Sequence, residues 1–533
     1  MGCPVTLAGM TATLDRPVSA SAPEPWRERL QPLASRSGGW PATLLVTVIA
    51  ALLRLVRLDL PATTLNAQGV RIGPGKIFDE IYYACDAQNL LRFGVEHSTL
   101  AGNDRCVPTG GGAFVVHPPL GKWLIALGEQ LFGVNTVGWR SVAALFGILT
   151  VLVTVRIGRR MTGSTLLGAL AGLLLSFDGL HFVQSRVAML DVFLCFFVVA
   201  AFGCLVVDRD RVRTRFAAVG PEQHESRAQG AGTGWRPWLV LAGFMLGCAL
   251  ATKWSGLYAL VVLIPLALLW EAGSRRTAGE RASRRLTLRR SSIPVLACLV
   301  LLPVVVYIAS WAGWFLTDLG YHRHWADARG TTAPYLPAVV RSFWHYHWEI
   351  FNFHNTLSAT HPYQSHPLSW PILGRPVNYY YPPGITAGRY GCAAASCSRE
   401  VLAIGTPALW WAMVPAAVLL AFRWVSHRDW RASALLVMVL AGVLPWEPSD
   451  LKHRTMFLFY ALPSIPFLCL GIALLVGWAL GRPGTTRRLL ASAGAGGYVA
   501  LVVVNFFYLY PVLAAVTVPY SDWSRRMWFR SWI

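Results

Sequence analysis

The chain has 533 residues, of which 54% are hydrophobic and only 14% charged, with a mean hydropathy of +0.46, whereas a soluble globular domain carries roughly 25% charged residues. That balance excludes an ordinary soluble protein and puts most of the chain in lipid, where length is counted in spans of about 20 apolar residues. The 47 Lys+Arg against 26 Asp+Glu, a formal net charge of +21, would suggest nucleic acid in a soluble protein; here basic cytoplasmic loops account for it, and no nucleic-acid partner is expected.

Residues 1–40 are rich in Pro, Ser, Ala and Arg without an apolar run, and read as a cytoplasmic disordered tail. The run 40–58 follows with no small-residue cleavage site at its end, so it is a retained first span. Further apolar runs lie at 138–157, 164–177, 189–207, 238–252, 257–271, 292–315, 402–422, 432–446, 455–477 and 488–512. An all-α polytopic protein of about eleven transmembrane helices is expected. With the tail inside, alternate loops are basic, at 156–160, 209–215, 275–290, 423–431 and 482–488. The expected organisation is then a tail at 1–40 and an N-terminal transmembrane catalytic module at 41–315 that includes the first outer loop 61–137. A large extracytoplasmic loop at 316–401, C-terminal helices at 402–515 and an extracytoplasmic tail at 516–533 complete it, all in the plasma membrane.

Chemistry-bearing residues concentrate on the outer side. The first outer loop carries Phe78-Asp79-Glu80-Ile81-Tyr82-Tyr83, and the pattern of residues 79–93 predicts a short helix along the interface. Neighbouring side chains on a helix point about 100° apart, so the two acids cannot do the same job, and one can act as base while the other orients. The loop ends in His117-Pro118-Pro119-Leu120-Gly121-Lys122-Trp123. There the prolines fix the backbone, Lys122 is a candidate for steering a lipid phosphate, and an interfacial helix runs to Phe132. Arg140 stands at the outer end of the second span, where a charge can also simply snorkel.

The next outward turn runs from Asp178 through His181, Gln184, Ser185 and Arg186 to Asp191. It packs ionisable groups between two very apolar spans, where they are expensive and mark a function unless Arg186 pairs structurally with a carboxylate. Lys253-Trp254 adds a cation or an interface anchor. The large outer loop holds His345, His347, Glu349, His354, His361 and His366, then a Pro-, Trp- and Tyr-rich stretch suited to a packed cap or sugar-binding rim. With no compact His-x3-His or Cys-x2-Cys pattern, no metal site is expected. Of the ten cysteines, Cys3 lies in the tail and Cys195, Cys204, Cys248, Cys298 and Cys469 lie in spans, so these are free. Cys85 and Cys106, and Cys392 and Cys397, lie outside, where an oxidising compartment permits disulfides; the first pair is expected to be joined.

Taken in order, Asp79-Glu80, His117 to Lys122, Gln184-Ser185-Arg186 to Leu190-Asp191, Lys253-Trp254, and His361-Pro362-Tyr363 through Trp370-Pro371 to Tyr379-Tyr380-Tyr381 resemble the protein O-mannosyltransferases. The likeness runs from about residue 42 to 515. It implies a GT-C glycosyltransferase fold and transfer of mannose from polyprenyl phosphate mannose to Ser or Thr of secreted polypeptides. The resemblance further implies Asp79 as base, Glu80 supporting the acceptor, Arg140 contacting the donor phosphate or the acidic site, and roles for Gln184, Arg186 and His354. The chain lacks the lumenal MIR insertion of the fungal and animal members, so it looks like a bacterial, actinobacterial member. The chemistry needs a carboxylate to take the hydroxyl proton and cations, here Arg140 and Arg186, for the leaving phosphate. Partners expected are the lipid-linked donor, membrane lipid, the acceptor polypeptide and the secretion channel. The rival readings are another GT-C lipid-phosphosugar transferase acting on a lipid or cell-wall glycan, or a transporter; against the latter stand the absence of an internal repeat and the large outer loops.

Overall fold

A computed structural model describes residues 38–533 apart from 63, 66–70, 74, 101–105, 219–233, 281, 328–334, 451–452 and 481–483. The tail expected at 1–40, with Cys3, therefore lies outside the described residues except for its last three positions.

Among the described residues, eight helices are long and apolar enough to cross a bilayer: Thr136–Thr162, Asp191–Ala218, Gly256–Thr277, Ser283–Ser310, Pro407–His427, Trp430–Ser449, Leu458–Ala479 and Thr486–Leu513. Three shorter apolar helices, Trp40–Leu55, Thr165–Ser176 and Pro237–Thr252, stand at the remaining apolar runs. Helix ends follow local chemistry. Asn135 caps Thr136–Thr162 by accepting the Val137 and Gly138 amides at 3.0 Å each, and Gly163 closes that helix in the left-handed region. The run 402–422 forms a helix displaced toward the C-terminus, Pro407–His427. Val401–Ala403 instead pairs antiparallel with Val377–Tyr380, and the helix starts only at Pro407, where a missing amide costs nothing.

The bundle has a protected middle and an exposed perimeter. Of the most apolar stretch of Asp191–Ala218, 83% is buried inside the protein, against 17% for Ser283–Ser310 and for Thr486–Leu513. Those two helices present Ile293, Leu301, Val305, Leu501, Val504 and Phe507 outward, as lipid-facing surfaces do. One peripheral contact is made by small residues. A Cβ on Gly243 would lie 1.8 Å from the Cys298 carbonyl oxygen, and one on Gly247 would lie 2.6 Å from Val306. This Gly-x3-Gly face thus lets Pro237–Thr252 touch Ser283–Ser310 backbone to backbone.

The basic loops meet one another at one end of the bundle. Arg160 pairs with Asp210 at 2.9 Å, Arg236 bridges Asp208 and Glu271, and Arg209 stacks over Trp430 at 3.4 Å. The other end carries two interfacial helices, Glu80–Phe93 and Leu120–Phe132, the hairpin of His97–Thr99 with Pro108–Gly112, and the loop helix Ala338–Thr356. Residues 516–533 fold back onto this end. Val518–Pro519 pairs with Cys397 and Ser398, Trp532 is buried, and the Trp523 indole donates to Glu400 at 2.6 Å. Cys85 is joined to Cys106 and Cys392 to Cys397, while Cys195, Cys204, Cys248, Cys298 and Cys469 are free.

Candidate active site

Beneath the loop helix lies a cavity of about 760 Å³ lined by Asp79, Tyr83, Asp86, His117, Lys122, Lys253, Trp254, Phe353, His354 and Arg454, among others. Asp79 opens helix Glu80–Phe93, and Tyr83 and Asp86 follow one and two turns later on the same face. The Asp79 carboxylate is partly exposed, and no hydrogen-bond partner holds it among the described residues. Burial pushes its carboxyl up to about 6; the Lys253 ammonium opposes the rise and the Asp191 carboxylate adds to it.

Glu80 does something different. It is fully buried and accepts from Arg140 Nε at 2.7 Å, Arg140 NH2 at 2.8 Å, the Ala188 amide at 2.9 Å and the Ile77 amide at 3.0 Å. It cannot touch an acceptor, so the expected acceptor-binding role is corrected: Glu80 ties the start of its helix to the bundle and thereby positions Asp79. Of the two contacts expected of Arg140, the donor phosphate or the acidic site, the structure shows the one to the acidic pair, through Glu80. The five N–H groups of Arg140 go to Glu80 and to the carbonyls of Leu58, Leu60 and Gly75, leaving none for a phosphate.

Arg186 is likewise a structural cation. It donates to the carbonyls of Leu53, Arg54, Val56 and Arg57, satisfying oxygens left open where Trp40–Leu55 ends. It has no carboxylate partner among the described residues, so the structural ion pair is not formed, and it does not line the cavity. Gln184 is buried and donates to the Tyr379 hydroxyl at 2.7 Å. Tyr379 stacks on Phe78 at 4.4 Å, and Phe78 itself sits at φ 48, a conformation a bulky residue holds only when its surroundings impose it. Gln184 therefore reaches Asp79 through two rings rather than reaching the donor.

Lys122 does face the cavity, but Glu96 at 2.7 Å and Asp86 at 3.2 Å flank its ammonium. Two carboxylates about one ammonium leave that corner acidic and repel a phosphate. Burial raises the Asp86 carboxyl to about 6, with Lys122 opposing. His117 stacks on His354 at 5.5 Å, and its Nδ1 is buried without a partner. Burial pushes its pKa well below the usual value and that of His354 down to about 4. His354 Nε2 lies 3.0 Å from the Val116 carbonyl and so carries the proton, which leaves Nδ1 to accept from Arg454 at 3.3 Å.

Arg454 and Lys253 are the cations this cavity offers to an anion. Arg454 Nε is buried without a partner. Lys253, at the C-terminus of Pro237–Thr252, is bound to Asp191 at 2.9 Å and lies 4.7 Å over the Tyr460 ring. Sequence reasoning weighed Lys253 but missed Arg454. The available signal was cations at 452–454 in a loop that the charge alternation placed outside. His347 and His354 are not brought together: His347 bonds Tyr307 at 2.8 Å while His354 faces the cavity.

Residues 109–315 match the family described as dolichyl-phosphate-mannose-protein mannosyltransferase, and residues 339–532 match the C-terminal four-TMM region of protein-O-mannosyltransferase. The polyprenol-phosphate-mannose–protein mannosyltransferase of Mycobacterium tuberculosis is 40% identical over 97% of both chains. The chain belongs to the protein O-mannosyltransferase family. The enzyme of the same name from Corynebacterium glutamicum is 33% identical over 86% of this chain and 88% of its own. A chain of the Saccharomyces cerevisiae protein O-mannosyltransferase Pmt1-Pmt2 complex, solved with the sugar donor bound, superposes with a TM-score of 0.70 at 14% identity. That match covers 95% of this chain and 94% of the yeast chain, and the shared architecture is the GT-C fold. The protein O-mannosyltransferases are membrane glycosyltransferases.

Proposed function

We propose that this enzyme moves mannose from polyprenyl phosphate mannose to Ser or Thr hydroxyls of secreted polypeptides by a single displacement in this cavity. The observation that carries the reading is the unpartnered Asp79 carboxylate opening into the same space as the Arg454 guanidinium. Asp79 takes the hydroxyl proton as the hydroxyl oxygen attacks the anomeric carbon. The bond from that carbon to the phosphate oxygen breaks, its electron pair leaves with the polyprenyl phosphate, and a β-linked donor gives an α-linked product. A phosphate is already a stable anion, so it needs cations rather than an acid. Arg454 supplies the charge, assisted by Lys253. Leu257, Phe351 and Phe353 give the cavity an apolar side against which a lipid chain can lie.

The orientation goes with this reading. The basic loops face the cytoplasm and the cavity opens at the outer face of the plasma membrane, after eleven crossings that leave residues 516–533 outside. Acceptor chains arrive there from the secretion channel. Membranes containing the enzyme, given labelled polyprenyl phosphate mannose and a Ser/Thr-rich peptide, label the peptide. Label entering lipid or glycan but not the peptide overturns the proposal.

A further inference from the structure

Away from the cavity, the outer loop brings together three side chains that the chain order separates. His345 and Glu349 lie one turn apart on Ala338–Thr356, and His322 comes from the segment after Ala312–Leu316. His322 Nδ1 lies 3.0 Å from one Glu349 oxygen and His345 Nε2 lies 3.5 Å from the other. The three donor atoms all fall within 4.8 Å of one another. Around a zinc ion, bonds of about 2.0–2.2 Å at tetrahedral angles hold donors roughly 3.3–3.6 Å apart. Each imidazole already lies about that far from one of the two Glu349 oxygens, and a turn of the carboxylate brings the three ligand atoms onto one ion.

The surroundings suit a bound ion. Trp325 stacks on His345 at 3.8 Å and Tyr321 on His322 at 4.1 Å, so both rings are held in plane. The three side chains are 22–37% exposed, which leaves room for a water as fourth ligand. The nearby carboxylates of Asp318 and Asp327 are engaged by His324 at 3.2 and 2.6 Å, so they stand outside the set.

We infer that His322, His345 and Glu349 form a binding site for one divalent transition-metal ion of the zinc type. Two imidazoles and one carboxylate favour such an ion over magnesium or calcium, which take oxygen ligands. The ion is a clasp rather than a reactant. It ties residues 317–327 to the loop helix, whose Tyr346 hydroxyl bonds the Val115 backbone at 3.1 Å and whose Phe353 and His354 line the cavity. A search for close-spaced motifs misses it because the third ligand comes from a separate segment.

The test uses the full chain in detergent, stripped with chelator, dialysed against zinc alone, and assayed for bound metal by elemental analysis. The wild type and the His324→Ala variant are expected to retain about one zinc per chain, and His345→Ala and His322→Gln to retain none. Cobalt bound to the stripped wild type should give visible d–d bands that zinc abolishes, a readout that needs no folded variant. A wild type that retains no zinc and shows no cobalt bands overturns the proposal, as does retention by His345→Ala equal to that of wild type.

Discussion

Acidifying a transfer assay from pH 7 to pH 5 tests the base directly. With its carboxyl at about 6, Asp79 is roughly nine-tenths deprotonated at pH 7 and one-tenth at pH 5, so the rate falls about tenfold if the charged form takes the proton. The sign follows from burial: the raised value means that the base is lost as pH drops through 6. An ordinary aspartate near 3.9 would lose less than about a tenth of its activity over the same interval. The assay is initial transfer of labelled mannose to peptide at saturating donor. His354, at about 4, stays mostly neutral across this range, and burial also pushes His117 well below its usual value. Asp86 lies at about 6 as well, so Asp86→Asn serves as the control and keeps the acid limb. Asp79→Asn lowers the rate by roughly 10²–10⁴-fold and leaves the residue of activity flat with pH. A wild-type rate unchanged down to pH 5, or a limb that survives in Asp79→Asn, refutes the assignment.

Two further substitutions separate the cations. Arg454→Ala should raise the KM for the lipid donor at least about tenfold, since a hydrogen bond to a charged group contributes roughly 1.5–3 kcal/mol; an unchanged donor KM removes Arg454 from the phosphate. Arg140→Met leaves Glu80 buried without its partner, at a cost of about 3–5 kcal/mol. The expected result is a lower melting temperature in detergent and less folded protein in the membrane, whereas a purely phosphate-binding arginine would change KM and spare stability.

Much of this architecture is legible in the sequence because lipid leaves the backbone few choices. The apolar runs at 189–207 and 488–512 both became helices within a few residues of their expected positions, with polar extensions that hydropathy cannot see. The helix ending at Phe132 was legible from the prolines that precede it. What stayed hidden was the use made of each charge. Arg140 and Arg186 stand in the same kind of setting as a phosphate ligand would, and only the groups around them show that Arg140 spends all five N–H donors and that Arg186 turns its NH1 and NH2 to helix-end carbonyls. Local spacing shows that Asp79 and Glu80 point apart, yet not which one faces the bundle. Arg454 lies far along the chain from Asp79, and no local pattern joins them.

The pinning of Glu80 gives the two sides of the reaction chamber different foundations. The floor, which bears Asp79, is bolted to the spans through an ion pair that cannot open without stranding a charge in a dry interior. The ceiling, Ala338–Thr356, is seated through aromatic rings and neutral hydrogen bonds, Tyr346 with the Val115 backbone, His354 with the Val116 carbonyl and His347 with Tyr307. Room for an incoming polypeptide therefore has to come from the ceiling. On the proposed reading Asp79 stays fixed while the helix above it adjusts to side chains of different bulk, and hydrogen exchange should accordingly be faster over 338–356 than over 80–93.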